Sequence, residues 1–402
     1  MTFQVSQEAT SDVVSPLDEA GVGAIVLDAI ERKAPLAIRG AGTRAGLGRP
    51  VQAARALSTE RLTGVTLLEP SELVVSARAG TPVAEVEAAL AEKGQRLAFE
   101  PFDHRPLYGT SGEPTIGGLV AANASGPRRV IAGAARDALI GVRMVTGRGE
   151  IIRSGGRVMK NVTGYDLVKL AAGSHGTIGV LTEATFKTLP MPESETTLVL
   201  EGLDDAAGVA ALCAAMVTPF EVTGAAYLPA RGDTPSCTCL RLENFESQLR
   251  YRTAALEKAL GHRGPTNRLD VPTSRALWRE IAAAAPLLGP ERRMIWRISA
   301  APTRAAELVA KLRPVIASHF YDWSGGLVWI AVEPAEDACA GVVRPAVQAA
   351  RGHATLIRAP LATRAAVEVF EPQAPALARL TRAVTAAFDP EGVLNPGRMH
   401  AL

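Results

Sequence analysis

The sequence predicts an α+β fold built from two unlike halves. Short β-rich runs alternate with helical patterns from about residue 23 to residue 190, and glycine marks nearly every junction between them. After Pro190-Met191-Pro192 the glycine-dense character fades into alanine-rich helices and strands. A chain of 402 residues that is 47% hydrophobic fits two or three domains. We place the domains at 1–192 and 193–374, followed by a helix and turn-dense tail at 375–402.

Local patterns in the first domain predict its elements. Residues 36–38 and 73–77 have the composition of strands. Thr81-Pro82 predicts an N-cap and a first helical position, for a helix that Gly94 ends. Residues 142–146 and 150–153 flank a glycine-bearing loop, which is the pattern of a hairpin.

In the second half, alanine-rich helical stretches alternate with strands. Helices are predicted at 204–216 and 246–260, and strands at 294–299 and 326–332. A last helix opens at Pro375 and runs to residue 388 before the tail.

Charge and cysteine usage exclude several classes of protein. The formal charge of +2 comes from 43 basic and 41 acidic residues spread along the chain, with no basic block that could neutralise a run of phosphates. We therefore expect no nucleic-acid partner. Of the four cysteines only Cys237 and Cys239 are close, in a C-x-C spacing that matches neither zinc nor iron–sulfur pairs. We expect ordinary thiols in a reducing compartment and no metal site.

The sequence carries no pattern of export or membrane insertion. Residues 1–16 contain Glu8 and Asp12 and no basic residue ahead of an apolar run. The most apolar stretches, such as 281–289, are much shorter than the roughly 20 residues that span a bilayer. We expect a cytoplasmic protein whose membrane association, if any, is peripheral or through partners.

The first candidate binding segment is Arg39-Gly40-Ala41-Gly42-Thr43-Arg44-Ala45, which follows a strand and satisfies G-x-G-x-x-A. A Rossmann unit would continue into a helix, but Gly46, Gly48 and Pro50 would break one. Backbone N–H groups of a glycine loop can still hold a pyrophosphate without a helix. A plain tight turn is the alternative.

Two further segments share this glycine-rich character. Residues 114–126 combine adjacent glycines, which let a backbone approach a ligand, with the short polar side chains of Thr115, Asn123 and Ser125. Small-residue helix packing is the alternative. Residues 173–180 place glycines directly before a β-rich run, where exposed backbone groups could contact a ring with donor and acceptor atoms. His175 within this run is expected to be a solvated loop residue.

These segments occur in an order that resembles the FAD domain of vanillyl-alcohol-oxidase-type (PCMH-type) flavoproteins. The likeness covers residues 36–192, and the closing D-P-E-G-V-L-N-P-G-R-M is similar to that family's tail. The motif at 155–170, with W-R-I-S at 296–299 and G-H-A-T at 352–355, resembles the smaller flavin subunits of bacterial glycolate oxidases. The resemblance implies a two-subdomain FAD-binding domain, an α+β cap domain, and a tail that returns to the FAD domain.

The resemblance also implies cofactor contacts. The first loop and the glycine pair would hold the pyrophosphate, and the third loop would lie near the isoalloxazine. Carried over by position, the FAD-binding residues are Arg39, Gly40, Ala41, Gly42, Thr43, Thr115, Gly117, Gly118, Asn123, Ser125, Gly126, Gly176, Ile178, Gly179 and Val180. Relatives with covalent flavin use a histidine or cysteine tether, and His104 matches no such pattern, so we expect non-covalent FAD.

Catalytic residues are not evident in the same way. Related hydroxy-acid dehydrogenases carry a histidine-rich H-x-G-D-G-N-x-H stretch in the cap domain, and this chain has none. His353 is the nearest substitute for a base, and Arg297 and Arg358 for a carboxylate-binding cation, although structural roles are the alternative. Asp166 is expected to favour the positive end of a helix rather than to act as an acid.

The functional hypothesis is a flavin subunit that oxidises glycolate or a related 2-hydroxy acid within a complex. The partners implied are a larger flavin subunit and an iron–sulfur subunit. A self-sufficient FAD oxidase or dehydrogenase of another alcohol, such as lactate or a sugar, is one alternative. A flavin-loaded scaffold or electron relay is the other.

Overall fold

The computed structural model describes residues 12–157, 165–289 and 293–401 and consists of two lobes. The first lobe contains a three-stranded parallel sheet of order β1-β3-β2 and a six-stranded antiparallel sheet of order β4-β5-β9-β7-β8, in which β6 also pairs with β9. Its strands are β1 (Asp12–Val14), β2 (Leu36–Arg39), β3 (Arg55–Ser58), β4 (Val65–Glu69), β5 (Val74–Arg78), β6 (Gln95–Leu97), β7 (Leu139–Val145), β8 (Ile151–Gly155) and β9 (Val180–Pro190). Its helices are α1 (Glu19–Arg32), α2 (Val83–Ala91), α3 (Arg105–Tyr108), α4 (Ile116–Ala121), α5 (Arg129–Ala132), α6 (Ala135–Ala138) and α7 (Leu167–Ala171).

The second lobe is one eight-stranded antiparallel sheet of order β13-β10-β12-β11-β15-β16-β14-β17. Its strands are β10 (Ser194–Glu201), β11 (Val222–Leu228), β12 (Cys237–Asn244), β13 (Thr266–Leu269), β14 (Met294–Ser299), β15 (Ile316–Asp322), β16 (Leu327–Val332) and β17 (His353–Arg358). Its helices are α8 (Asp205–Met216), α9 (Glu246–Leu260), α10 (Val271–Ala282), α11 (Ala305–Leu312), α12 (Ala340–Ala349) and α13 (Leu361–Ala366), and α14 (Pro375–Phe388) follows.

The α+β class and most elements predicted from the sequence are confirmed. The hairpin is β7–β8, the last helix spans the predicted residues, and Asp166 caps α7 by accepting a hydrogen bond from the Lys169 backbone N–H. The predicted boundary at 192 falls between β9 and β10. Residues 158–164 of the motif at 155–170 lie outside the described residues, as do residues 1–11.

The predicted N-cap at Thr81 is wrong. Helix α2 begins at Val83 with Pro82 at the cap position, and no side chain caps it. The Thr81 side chain is fully buried, and its Oγ1 instead accepts a hydrogen bond from Gly64 N–H at 3.0 Å. The hydroxyl that the local sequence pattern assigned to the helix cap therefore makes a tertiary hydrogen bond instead.

Each face of the second lobe's sheet has a different cover. One face, with Trp296 and Tyr321 in its core, packs on the helices of its own lobe. The opposite face carries Phe320 and Trp329, which cluster with Tyr108 from the first lobe and with Trp278 of α10. The sheet therefore presents one face directly to the first lobe.

The tail returns to the first lobe, as the resemblance implied. Leu36 N–H donates to Val393 O at 2.8 Å, and Asn395 N–H donates to Leu36 O at 3.0 Å. The Asp389 carboxylate accepts hydrogen bonds from Val393 N–H and Leu394 N–H and so shapes the turn before this pairing. The tail is thereby added to the edge of β2.

A mostly buried ion network joins the two lobes. Arg241 from β12 binds both oxygens of Glu100 from the first lobe, at 2.7 and 2.9 Å. In the opposite sense, Glu243 from β12 accepts from Arg128 at 2.9 and 3.0 Å and from Arg96 of β6. Arg241 and Arg128 hold the pKa of the Glu100 carboxyl down at about 2 against the effect of burial, which raises it.

No helix within the described residues is long and apolar enough to cross a membrane.

Replacing Glu100 with Gln should reduce the free energy of unfolding at pH 7 by about 3 kcal/mol, because the buried Arg241 would lose its bidentate carboxylate partner and keep only the 3.8 Å ion pair with Glu243. The pKa of Glu100 is lowered on folding, so its contribution is complete above about pH 4.5 and is lost as the pH falls toward about 2. Denaturant unfolding at pH 7 and pH 3 measures this, and Glu100→Gln should weaken the pH dependence across that interval. The exposed Glu92→Gln is the matched control, and equal effects of the two variants would contradict the account.

Candidate functional site

A cavity of ≈ 300 Å³ opens where the segment after β2, the start of α4, the loop before β9 and the tail meet. Ten of the fifteen residues predicted to bind the cofactor line it: Arg39, Gly40, Ala41, Gly42, Thr43, Thr115, Gly117, Gly118, Gly176 and Gly179. Sequence reasoning did not select several polar residues that also line it: Arg44, Thr59, Ser111, His175, Asn395 and Arg398. Three glycine segments far apart in the sequence thus meet at one place.

The other five predicted residues are not among the residues that line the cavity. Asn123 Oδ1 accepts from Arg136 N–H at 3.0 Å, and Ser125 Oγ accepts from Ala135 N–H at 2.8 Å, so both side chains organise the start of α6. The remaining three pack within the first lobe: Gly126 against Glu100, and Ile178 and Val180 in apolar clusters. Their backbone contacts to a cofactor stay a prediction.

The segment after β2 is a series of turns without a helix. Gly42 has φ +77°, in the left-handed region that favours glycine, and a side chain there would point into open space. Within the described part of the chain, the N–H groups of Ala41, Gly42, Thr43 and Arg44 donate to no acceptor. This loop can therefore bind an anion through backbone donors, as the sequence suggested.

Arg44 adds a positive charge to this loop; it forms no ion pair within the described residues, and Asp103 acts on it only at longer range. Its Nε and Nη1 are sealed from solvent without a hydrogen-bond partner in the described residues, and Nη2 makes only a 3.4 Å contact with Phe102 O. Burial lowers the pKa of Arg44. A buried guanidinium without an acceptor is costly, so a ligand that supplies one gains affinity.

The cavity is cationic as a whole. Arg39 and Arg398 line it with Arg44, and the Arg39 Nε is also buried without an acceptor. No aspartate or glutamate of the described chain is among the lining residues. This charge distribution favours a ligand with negative charge, such as a pyrophosphate.

The glycines around the cavity differ in how much space a side chain would have. A Cβ on Gly40 would lie 2.3 Å from Thr115 Oγ1, and a Cβ on Gly117 would lie 2.8 Å from the Ala79 Cβ, so both are needed for backbone packing. A Cβ on Gly118 would lie 3.2 Å from Thr115 Oγ1 and 4.0 Å from Arg44 Nη1, on the cavity side. Thr115 Oγ1 accepts from Gly118 N–H and caps α4.

The expectation of a solvated His175 holds only in part, because the residue is half-buried at the cavity. Its backbone is left-handed with φ +52°, and its ring lies 4.8 Å from the ring of Phe370. Burial, with a smaller effect of Arg398, lowers the pKa of His175 to about 3, so the imidazole is neutral at physiological pH. Packing against residues distant in the sequence decides this environment.

Asn395 ties the parts of the cavity together. Its Oδ1 accepts from Ile38 N–H at 2.8 Å, and its Nδ2 donates to His175 O at 2.8 Å. One amide thus links β2, the loop before β9 and the tail. The tail motif predicted the return of the chain but not this contact.

The candidate catalytic residues lie on the second lobe's sheet and do not line the cavity. His353 pairs with Ser299 and Thr355 with Arg297, so His353 and Arg297 share a sheet face. Burial lowers the pKa of His353, with a further lowering from Arg297. Arg358 donates to Arg293 O at 2.9 Å and to Leu107 O at 3.3 Å, which is a structural role.

Within the described residues no group of three or more histidine, cysteine, aspartate or glutamate side chains could hold a metal ion. The residues that line the cavity instead fit a dinucleotide cofactor, because free backbone donors and sealed guanidinium nitrogens there require acceptor oxygens.

Comparison with known proteins agrees with this geometry. Residues 11–155 match the family described as FAD binding domain. Glycolate oxidase subunit GlcE of Escherichia coli K12 is 34% identical over 377 residues, which cover 94% of this chain and 95% of that protein. Glycolate oxidase subunit GlcD of Bacillus subtilis 168 is 32% identical over 217 residues, covering 53% of this chain and 45% of that one.

The fold is that of p-cresol methylhydroxylase, whose substrate-bound crystal structure matches with a TM-score of 0.73 at 13% identity, over 97% of this chain and 88% of that one. The vanillyl-alcohol-oxidase type predicted from the sequence is thus confirmed. Together with the near full-length match to a glycolate oxidase subunit, these findings show that the chain belongs to the FAD-linked family of GlcE-type glycolate oxidase subunits.

Proposed function

We propose that the chain binds FAD non-covalently in the cavity and works as a subunit of a cytoplasmic complex that oxidises glycolate or a related 2-hydroxy acid to the 2-oxo acid. Bound FAD would supply the hydride acceptor. The cofactor proposal rests on Arg44, two of whose guanidinium nitrogens are shielded from solvent and have no acceptor. Beside it, four backbone N–H groups donate to no acceptor within the described residues.

The roles of the chain's own residues follow from their positions. Ala41 to Arg44 would bind the pyrophosphate through backbone N–H groups, and Arg44 would neutralise its charge. Thr115 would hold the glycine pair in place by capping α4. Asn395 would keep the loop before β9 at a fixed distance from the first loop.

The proposed partners are a larger flavin subunit and an iron–sulfur subunit. The near full-length likeness to a protein described as an oxidase subunit supports an assembly. The chain lacks the histidine-rich stretch of related dehydrogenases, and the described residues contain no cluster that could bind a metal. Contact of the complex with the inner membrane would then be made through the partners.

Acid precipitation should release the flavin into the supernatant. His175 is the one histidine among the described cavity-lining residues, and its packing against Phe370 gives it a structural role instead of a tethering one. Absorbance of pellet and supernatant measures the outcome. A yellow pellet would contradict the proposal, and loss of that colour in His175→Ala would then identify the tether.

Replacing Arg44 with Met should weaken FAD binding at least about tenfold, because charge-assisted hydrogen bonds to a phosphate would be lost. Fluorescence titration of the apoprotein with FAD measures the affinity. Arg61→Met removes the same charge from an exposed position of the same lobe and should bind FAD like the wild type. Equal affinities of the two variants would remove Arg44 from the site.

The isolated chain loaded with FAD should not sustain turnover of glycolate with an artificial acceptor. Hydride abstraction needs a base and a carboxylate-binding cation held together, and His353 has no hydrogen-bonded partner in the described residues. Steady-state rates per flavin of the chain and of the three-subunit complex decide this. Comparable rates would show a self-sufficient enzyme, whereas flavin that glycolate never bleaches in either sample would favour a scaffold or relay.

A further inference from the structure

A short segment of the second lobe, residues 367–371, lies against one wall of the cavity, and we call it the strap. It follows α13 and precedes α14. Its Phe370 is half-buried, and the Phe370 ring lies 4.8 Å from the ring of His175, which lines the cavity. Phe370 itself is not among the lining residues. The strap therefore meets the cavity through His175.

One arginine of the second lobe sets the path of the strap. Arg344 of α12 donates through Nη2 to Glu368 O at 2.6 Å and to Phe370 O at 2.7 Å, and through Nη1 to the Glu371 carboxylate at 2.6 Å. Its guanidinium carbon lies 4.9 Å from the centre of the Trp296 ring. Because the donors of a guanidinium form a rigid fork, one side chain fixes several acceptors at once.

The strap is also attached to the sheet of its own lobe and to the first lobe. Leu356 N–H of β17 donates to Val369 O at 2.8 Å, and the Val369 side chain is fully buried in the core of the second lobe. From the first lobe, Arg49 donates to Val367 O at 3.0 Å and to Ala365 O at 2.7 Å. Phe370 thus projects from a backbone that both lobes hold.

His175 depends on its surroundings for its conformation. Its backbone has φ +52°, which is costly for a residue other than glycine, so neighbouring groups must hold it. Its N–H donates to Ala121 O at 3.0 Å, and its carbonyl accepts from Asn395. These bonds fix the main chain, whereas the imidazole forms no hydrogen bond within the described residues and packs on Phe370.

We propose that Arg344 and Phe370 are positioning residues for the cofactor: Arg344 fixes the strap, and Phe370 holds His175 in place as a wall of the cavity. The identity of the cofactor rests on the proposed function. None of the described residues between 193 and 374 lines the cavity, so the strap gives the second lobe a means of retaining the cofactor. Loosening the strap allows the His175 ring to turn away and shortens the residence time of bound FAD.

The rate of FAD release tests the proposal. The full chain is loaded with FAD and diluted below its dissociation constant, and the return of free-flavin fluorescence is followed. Phe370→Ala and Arg344→Met should release FAD at least about tenfold faster than the wild type. Phe370→Leu keeps an apolar side chain and Arg344→Lys keeps the charge, so each should release FAD more slowly than the harsher variant at the same position.

Two changes elsewhere in the second lobe are matched controls. Phe220→Ala removes the same ring from a half-buried position against the same core. Arg252→Met removes an arginine that pairs with Glu221 and whose side chain is 19% exposed, close to the 16% of Arg344. Both controls should release FAD at the wild-type rate. Equal rates for the strap variants and the controls would overturn the proposal.

The accessibility of His175 separates a failure of this inference from a failure of the proposed cofactor, because it is measured with or without flavin. Diethyl pyrocarbonate modifies accessible imidazoles, and the exposed His262 is the internal reference. Arg344→Met retains Phe370, yet it should raise the modification rate of His175 at least about threefold, because local opening would cost less free energy. A wild type that binds no flavin refutes the proposed cofactor. Unchanged modification of His175 in Arg344→Met overturns the positioning role.

Discussion

The amide of Asn395 holds together the segments that surround the cavity. Its oxygen accepts from Ile38 N–H and its nitrogen donates to His175 O, so three segments from distant parts of the chain are held by one buried side chain. Neither the first glycine loop nor the loop before β9 can form a cavity alone, because each is a surface turn until the other faces it. The carboxyl-terminal tail therefore lines the cavity together with the glycine motifs.

Charge is distributed unequally between the cavity and the lobe interface. At the interface, Arg241 and Arg128 meet Glu100 and Glu243 in short, mostly buried pairs. In the cavity, Arg44 is half-buried, two of its guanidinium nitrogens are shielded from solvent without an acceptor, and Asp103 acts on it only at longer range. A protein tolerates such a cation at a cost in folding stability, and a ligand with negative charge recovers that cost on binding. The difference distinguishes the ion network at the interface, whose charges are paired, from the cavity, whose cations form no ion pair among its lining residues.

The second lobe packs against the first through one face of its sheet. Helices cover the other face, and the face toward the first lobe is shared by residues of that lobe and by α10. Arg297 and His353 lie on the face toward the first lobe. Arg129 of the first lobe lies over the ring of Trp323, which follows β15. Chemistry at this junction would need both lobes in their observed arrangement, which the ion network between Glu100 and Arg241 holds.

The sequence alone determined the α+β class and most of the elements, because these depend on local periodicity. The resemblance of its motifs to a known family implied the convergence of three glycine segments and the return of the tail. It could not assign side chains whose partners are distant. The Thr81 hydroxyl accepts from Gly64 instead of capping its helix, and the Asn123 and Ser125 side chains accept from the start of α6. His175 packs half-buried against Phe370. Arg44 stood inside a recognised motif, yet its significance comes from burial without an acceptor, which no local pattern encodes. Likewise, only the tertiary structure brings Arg129 and Arg297 to one indole, because the two residues lie on different lobes and meet through packing rather than spacing.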